Sequence, residues 1–384
     1  MSRLNGLRSH GVVLMFAGLL ATAGAVTVPL TTSASSDEII VHPGESIQAA
    51  VDRADPGDTV KVLEGTYHQQ VNISTDDITL KGEGPGDTVI APPNCSGSCA
   101  TTHGPAAGGN CDQVLGQTGI CIGVAPIHEG SPPTRVVDGV VVKSLTVSGF
   151  AGAGIFAAGT DEGRVENVHA TSNGVYGIYF NESTDATIQD NLTTGSSEAG
   201  IYFGDSPAPT TVWSPSEISG NTSLNNGKGL LLRDASHGVV EGNTAQSNCV
   251  GIFFLNTGYG QGLANNHDWK AENNDVDKND LGCPGGDTGP ALSGIGILVA
   301  GATHITVSDN SVEDNNPGAN QSIGSGGILL VSTAGFGGTD ENNNTVKDNE
   351  AENNVPVDIF WDKAGTGNTF SDNDCDASQP SGFC

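Results

Sequence analysis

A short Gly-Ile-aromatic signature recurs along this chain and constrains its fold more than any other feature. It appears at Gly154-Ile155-Phe156, Gly177-Ile178-Tyr179, Gly200-Ile201-Tyr202 and Gly251-Ile252-Phe253. Looser copies stand at Gly229-Leu230-Leu231, Gly296-Ile297-Leu298, Gly327-Ile328-Leu329 and Asp358-Ile359-Phe360. Successive copies are 23, 23, 29, 22, 45, 31 and 31 residues apart. A basic period near 22 residues with insertions is a solenoid pattern. Such a coil has room for three short strands and their turns. The chain is therefore expected to be an all-β solenoid, a right-handed parallel β-helix, with Ile155, Ile178, Ile201, Ile252, Ile297, Ile328 and Ile359 in one buried column.

A second pattern follows each signature, in Asn167, Asn191, Asn221, Asn243, Asn310, Asn349 and Asn373, with further Asn at 173, 225, 248, 279, 315 and 353. Asn tolerates left-handed backbone and bonds neighbouring backbone groups. Stacked at one corner of successive coils, Asn side chains are expected to form ladders. Before the repeats, residues 44–52 read as a short amphipathic helix with Ser46 at its N-cap. Such a helix would cover the open end of the solenoid and protect its edge strands.

Arg3, Arg8 and His10 precede an apolar run over 11–26 and then small residues, the pattern of a secretory signal. Residues 1–34 are expected to be that signal, with Ala23 and Ala25 as alternative cleavage points. Residues 37–384 are expected to be one β-helix domain, secreted, monomeric and free of the membrane once the signal is removed. The alternative is an uncleaved N-terminal anchor. The 14 Lys and Arg against 44 Asp and Glu give a net charge of −30, which repels phosphate backbones and argues against nucleic acid as a partner. It opposes polyanionic sugars too, unless a cation mediates, but not neutral glycans. All eight cysteines lie beyond the leader, and in an exported chain an even count favours disulfides. The expected pairs are Cys249–Cys283 and Cys375–Cys384. Cys95, Cys99, Cys111 and Cys121 are expected to pair among themselves in one of three ways, with a zinc site as the alternative.

The opening "HPGESIQAAVDRADPGDTVKVLEGTYHQQVNI", followed by "ITLKGEGPGDTVI", resembles the start of pectate-lyase-like β-helix proteins, including the NosD-type group. The resemblance runs from about Val41 to the end. It implies the fold but not an activity, because that superfamily holds lyases, hydrolases, epimerases and proteins without known catalysis. The motifs of its pectin-hydrolysing members are not met: Asn256-Thr257-Gly258 and Ser236-His237-Gly238 stand where NTD and GHG would be needed, and RIK is absent. The copper implied by the NosD name lacks ligands, since both Met residues lie in the leader and the nine His are scattered. No metal ligand is therefore assigned from sequence.

Stacking the coils on the signature glycine defines two further columns. The residue after the buried Ile should point outward, giving a strip that includes Tyr179, Tyr202 and Phe253, on which a sugar ring could stack. The alternative is that insertions fold over it. Five residues after the glycine stand Glu182, Asp205 and Asp234 in consecutive coils, with Arg233 adjacent. Carboxylates on coils about 4.8 Å apart have the spacing used in glycoside hydrolysis. They are the candidate acid/base residues, with Arg233 as charge stabiliser; Ca²⁺ is the candidate cofactor, since it prefers clustered carboxylates. The alternative is that all three are turn residues. The interval lengths place insertions near 205–215, 256–267, 283–293, 316–326 and 333–342, with 256–262 as a candidate lid. An extracellular polysaccharide is the expected partner, recognised or processed along the β face. The rival is a non-catalytic surface, adhesive or binding scaffold.

Overall fold

A computed structural model describes residues 36–93, 111–124, 135–207, 214–258, 265–285, 290–318 and 324–384. The proposed signal over 1–34, together with Cys95 and Cys99, lies outside the described residues. The described residues form a right-handed parallel β-helix, in which every named strand pairs in parallel with its counterpart in at least one neighbouring coil. The signature strands form one sheet, running from Val71–Ile73 through Ala153–Ala158, Tyr176–Asn181, Ala199–Gly204, Lys228–Arg233, Val250–Leu255, Ile295–Ala300 and Gly326–Val331 to Ser378–Gln379. Within it Ile155, Ile178, Ile201, Leu230, Ile252, Ile297, Ile328 and Ile359 stand in direct register. All eight are fully buried, so the expected column exists and forms the spine of the core.

Coils turn where a residue adopts left-handed backbone; an inward Asn follows it from Asp190 onward, whereas Leu145 and Val168 follow Ser144 and Asn167 in the earlier coils. Asp190, Gly220, Gly242, Asn273, Asp309, Asp348 and Asp372 have φ between 54° and 63° and precede Asn191, Asn221, Asn243, Asn274, Asn310, Asn349 and Asn373. These seven Asn form a continuous ladder, each Nδ2 donating to the next Oδ1 at 2.9–3.0 Å. A second ladder runs Asn248, Asn279, Asn315, Asn354 and ends on Asp358. The two roles the sequence reading gave to one residue thus fall to two. Asn225 and Asn353 make the turn (φ 54° and 58°), while Asn226 and Asn354 point inward. Asn167 likewise makes a turn, at φ 50°.

Both ends are closed. Ile47–Val51 is the expected helix, with Ser46 Oγ accepting from Ala49 N at 3.1 Å and Ile47, Ala50 and Val51 buried on the first coil. At the other end the rings of Phe370 and Phe383 stack at 3.8 Å and a Cys375–Cys384 disulfide ties the last segment down. Cys249 and Cys283 are bonded, as are Cys111 and Cys121.

The ladder makes a quantitative demand. Asn243 donates to Ile218 O and Asn274 Oδ1 and accepts from Asn221 N and Nδ2, all within 3.0 Å. Asn243→Ala leaves these buried groups unpaired and should cost about 3 kcal/mol or more in chemical denaturation. Exposed Glu241→Ala should shift stability by less than about 0.5 kcal/mol. Equal effects from the two changes would remove the ladder from the stability account.

Candidate functional site

Register carries the signature strands into their turns. Glu182 N donates to Gly204 O, Asp205 N to Arg233 O, Asp234 N to Leu255 O and Asn256 N to Ala300 O, at 2.8–3.0 Å. Glu182, Asp205 and Asp234 therefore stand in one column, as their spacing predicts. Their φ values of 53°, 50° and 46°, with Gly159 and Gly301 at 65° in the same column, mark another left-handed corner.

The corner is not an open row of charge. Asp205 and Asp234 are buried, at 3% and 2% exposure, and their oxygens are engaged. Arg233 grips Asp205 through Nε (3.1 Å) and Nη2 (2.9 and 2.8 Å), and Tyr202 OH donates to Asp205 Oδ2 at 2.6 Å. The guanidinium also lies over the Tyr202 ring, 5.6 Å from its centroid. Asp234 accepts from Thr257 N at 2.8 Å and from Thr257 Oγ1, with Arg233 Nε 4.0 Å away. Burial raises the Asp234 carboxyl above its usual range despite these donors. Glu182 differs: at 8% exposure it has no side-chain hydrogen bond among the described residues. Burial first, and the charge of Asp205 second, raise its carboxyl from 4.5 to about 7. Arg233 is thus tied to Asp205 and Asp234, leaving Glu182 as the member whose proton is exchangeable near neutrality.

The strip of Tyr179, Tyr202 and Phe253 is on the outward side of its sheet but is not an open face. These residues are 3%, 1% and 7% exposed and belong to a second apolar layer with Phe156, Leu231, Leu298 and Leu329. Tyr176 and Phe156 both stack on Tyr179, at 4.5 and 4.4 Å between ring centroids. Leu115, Leu292 and Cys283 pack on the same layer, so insertions cover the strip. The expectation of an exposed sugar platform on these three residues is corrected accordingly. An outward apolar column lowers the free energy only when something removes it from water, and here later segments do so.

Residues 135–282 match the model of a family described as periplasmic copper-binding protein NosD. No curated protein matches the sequence. Among solved structures, the fold is similar to the A-modules of two mannuronan C-5 epimerases of Azotobacter vinelandii. Identity is 16% and 17%, over 87% and 86% of this chain and 91% and 90% of those modules, with TM-scores of 0.53 and 0.55. It is also similar to DFA-IIIase from Arthrobacter chlorophenolicus A6, at 12% identity over 88% of this chain and 98% of that one, with a TM-score of 0.56. The chain shares the parallel β-helix fold of these proteins. At these identities the likeness to the solved structures is one of fold.

On this β-helix the structure also gathers groups that sequence reasoning left apart. His237, described above as one of nine scattered histidines, meets His267 and Asp268 from the next coil. The insertion after Asn256 hides this in the sequence, because no signature marks where the strand His267–Glu272 resumes. Thr257 was also missed as the partner of Asp234, although its place beside the corner residue Asn256 was the available signal. The candidate lid begins with anchored residues: Asn256 Nδ2 donates to Thr339 Oγ1 at 2.7 Å and Gly301 O at 3.2 Å. Residues 259–264 lie outside the described residues.

The raised carboxyl has a thermodynamic consequence. Folded Glu182 holds its proton to higher pH than the unfolded chain does, so between pH 4.5 and about 7 the folded state binds more protons. Its contribution to stability therefore falls as pH rises through that window and is constant above it. Glu182→Gln should consequently raise the melting temperature relative to the parent above pH 7 but not below pH 4.5. A pH-independent difference between the two proteins would show that Glu182 titrates normally.

Proposed function

We propose that the chain is exported and processes an extracellular polysaccharide at the Glu182–Asp205–Arg233–Asp234 corner, with Glu182 transferring the proton. One observation carries this reading: Glu182 is a nearly buried carboxyl without a hydrogen-bond partner among the described residues, raised to about 7. A general acid needs a proton at working pH that it can also give up, and this environment supplies it. Asp205, held by Arg233 and Tyr202, and Asp234, held by Thr257, act as positioning residues that keep negative charge beside Glu182. Disulfides such as Cys249–Cys283 suit an oxidising compartment, which agrees with export. The epimerase modules that share the fold are named for mannuronan, which favours a polysaccharide as the class of substrate. The net charge of −30 selects neutral chains over uronate polymers unless a cation screens the approach.

A non-catalytic binding scaffold is the second reading, favoured by the internal engagement of both aspartates and by the covered aromatic strip. Incubation with a panel of neutral and uronate polysaccharides, with product detection by mass spectrometry, separates the two. The proposal predicts shortened or modified chains from the parent. Glu182→Gln should lower that rate by about 100-fold or more while polysaccharide binding persists. Binding without product, equal in both proteins, would establish the scaffold instead.

A further inference from the structure

We infer that His237, His267 and Asp268 form a binding site for one divalent transition cation of the borderline class, for which Zn²⁺ is the reference ion. One ligand atom from each residue lies within 4.8 Å of the other two. Asp268 Oδ2 is 2.8 Å from His267 Nδ1 and 3.5 Å from His237 Nε2, and the imidazoles meet edge to face with centroids 5.4 Å apart. In a tetrahedral site with bonds of about 2.0–2.1 Å, ligand atoms stand about 3.3 Å apart. Small side-chain rotations close the remaining gap. All three side chains are free to make them, being 45%, 25% and 45% exposed.

The arrangement follows from stacking rather than from a chance meeting of surface groups. Ser236 pairs with His267 and Gly238 with Trp269, so His237 stands level with Asp268 one coil away. Both occupy left-handed corners, with φ 62° and 58°. The next coil fixes Asp268 through its N–H to Thr303 O at 3.3 Å, and the preceding coil fixes His267 through its N–H to Ala235 O at 3.2 Å. Backbone held on both sides sets the three Cβ atoms before any ion arrives, which limits the entropy lost on binding.

Ligand chemistry selects the ion. Two imidazoles with one carboxylate suit Zn²⁺ and its neighbours, whereas Ca²⁺ and Mg²⁺ favour all-oxygen sets. The hydrogen bond between His267 Nδ1 and Asp268 Oδ2 accounts for only two of the three groups, leaving His237 Nε2 3.5 Å from the carboxylate. A shared cation binds both rings in their neutral form. Partial exposure leaves room for water or another ligand to complete the shell.

The test is isothermal titration of Zn²⁺ into the tag-free, chelator-stripped chain, with Ca²⁺ as competitor. The expected result is saturable binding of one Zn²⁺ per chain that excess Ca²⁺ does not displace. His237→Asn and Asp268→Asn remove a ligand while placing at each corner a residue that tolerates left-handed backbone. Each should weaken binding by more than about tenfold, with the circular dichroism unchanged. His267→Gln should do the same. If that variant fails to fold, His237→Asn decides alone. Absence of saturation, displacement by Ca²⁺, or parental affinity in folded His237→Asn would overturn the inference.

Discussion

Stacking in register, enforced at the corners, is the constraint on which this molecule depends. A parallel pair of short strands gains little by itself, and a slip of one residue would turn every core side chain outward. The Asn ladders prevent that slip. In each, an amide on one coil donates both to a carbonyl of the coil before it and to the Asn of the next, as Asn243 does with Ile218 O and Asn274 Oδ1. The interior around them is largely apolar, so an amide displaced by one position would be buried without its partners. The same device lets the chain absorb insertions as long as 45 minus 22 residues between signatures without losing alignment, because register is re-imposed at the following corner.

That constraint also produces the sites. A solenoid converts periodic sequence positions into columns, and its corners admit residues that tolerate left-handed backbone. Polar side chains consequently gather at corners, and most of them are there for the turn. Asp205 and Asp234 show how far a corner carboxylate can be absorbed into the structure: one is gripped by an arginine and a phenol, the other by a threonine. Glu182 shares their backbone geometry and burial but has no such donor among the described residues. Chemistry is assigned to it through that difference in partners, not through the column it shares.

The sequence showed the fold and its spine because those follow from period alone. Ile155 to Ile359 could be aligned by counting from a glycine, and Cys249 and Cys283 could be paired because one coil separates them. Prediction failed where the answer depends on what lies across from a residue. Tyr179, Tyr202 and Phe253 point away from the coil interior as expected, but the insertions that cover them carry no periodic signal. Asn225 and Asn353 were placed in the ladder one residue early, because an Asn suits either the turn or the inward amide. His267 was invisible as the partner of His237 because its strand resumes after an insertion of unmarked length. In the candidate site, Arg233, Asp205 and Asp234 were legible as neighbours, whereas their mutual hydrogen bonding was not.

The central claim is that the stacked corner holds one carboxyl, Glu182, in a state unlike that of its neighbours. Its titration can be followed directly by carboxyl ¹³C NMR of the glutamate-labelled protein, with the resonance assigned by its loss in Glu182→Gln. The account predicts a midpoint of about 7. A midpoint at the ordinary value of 4.5 would contradict it.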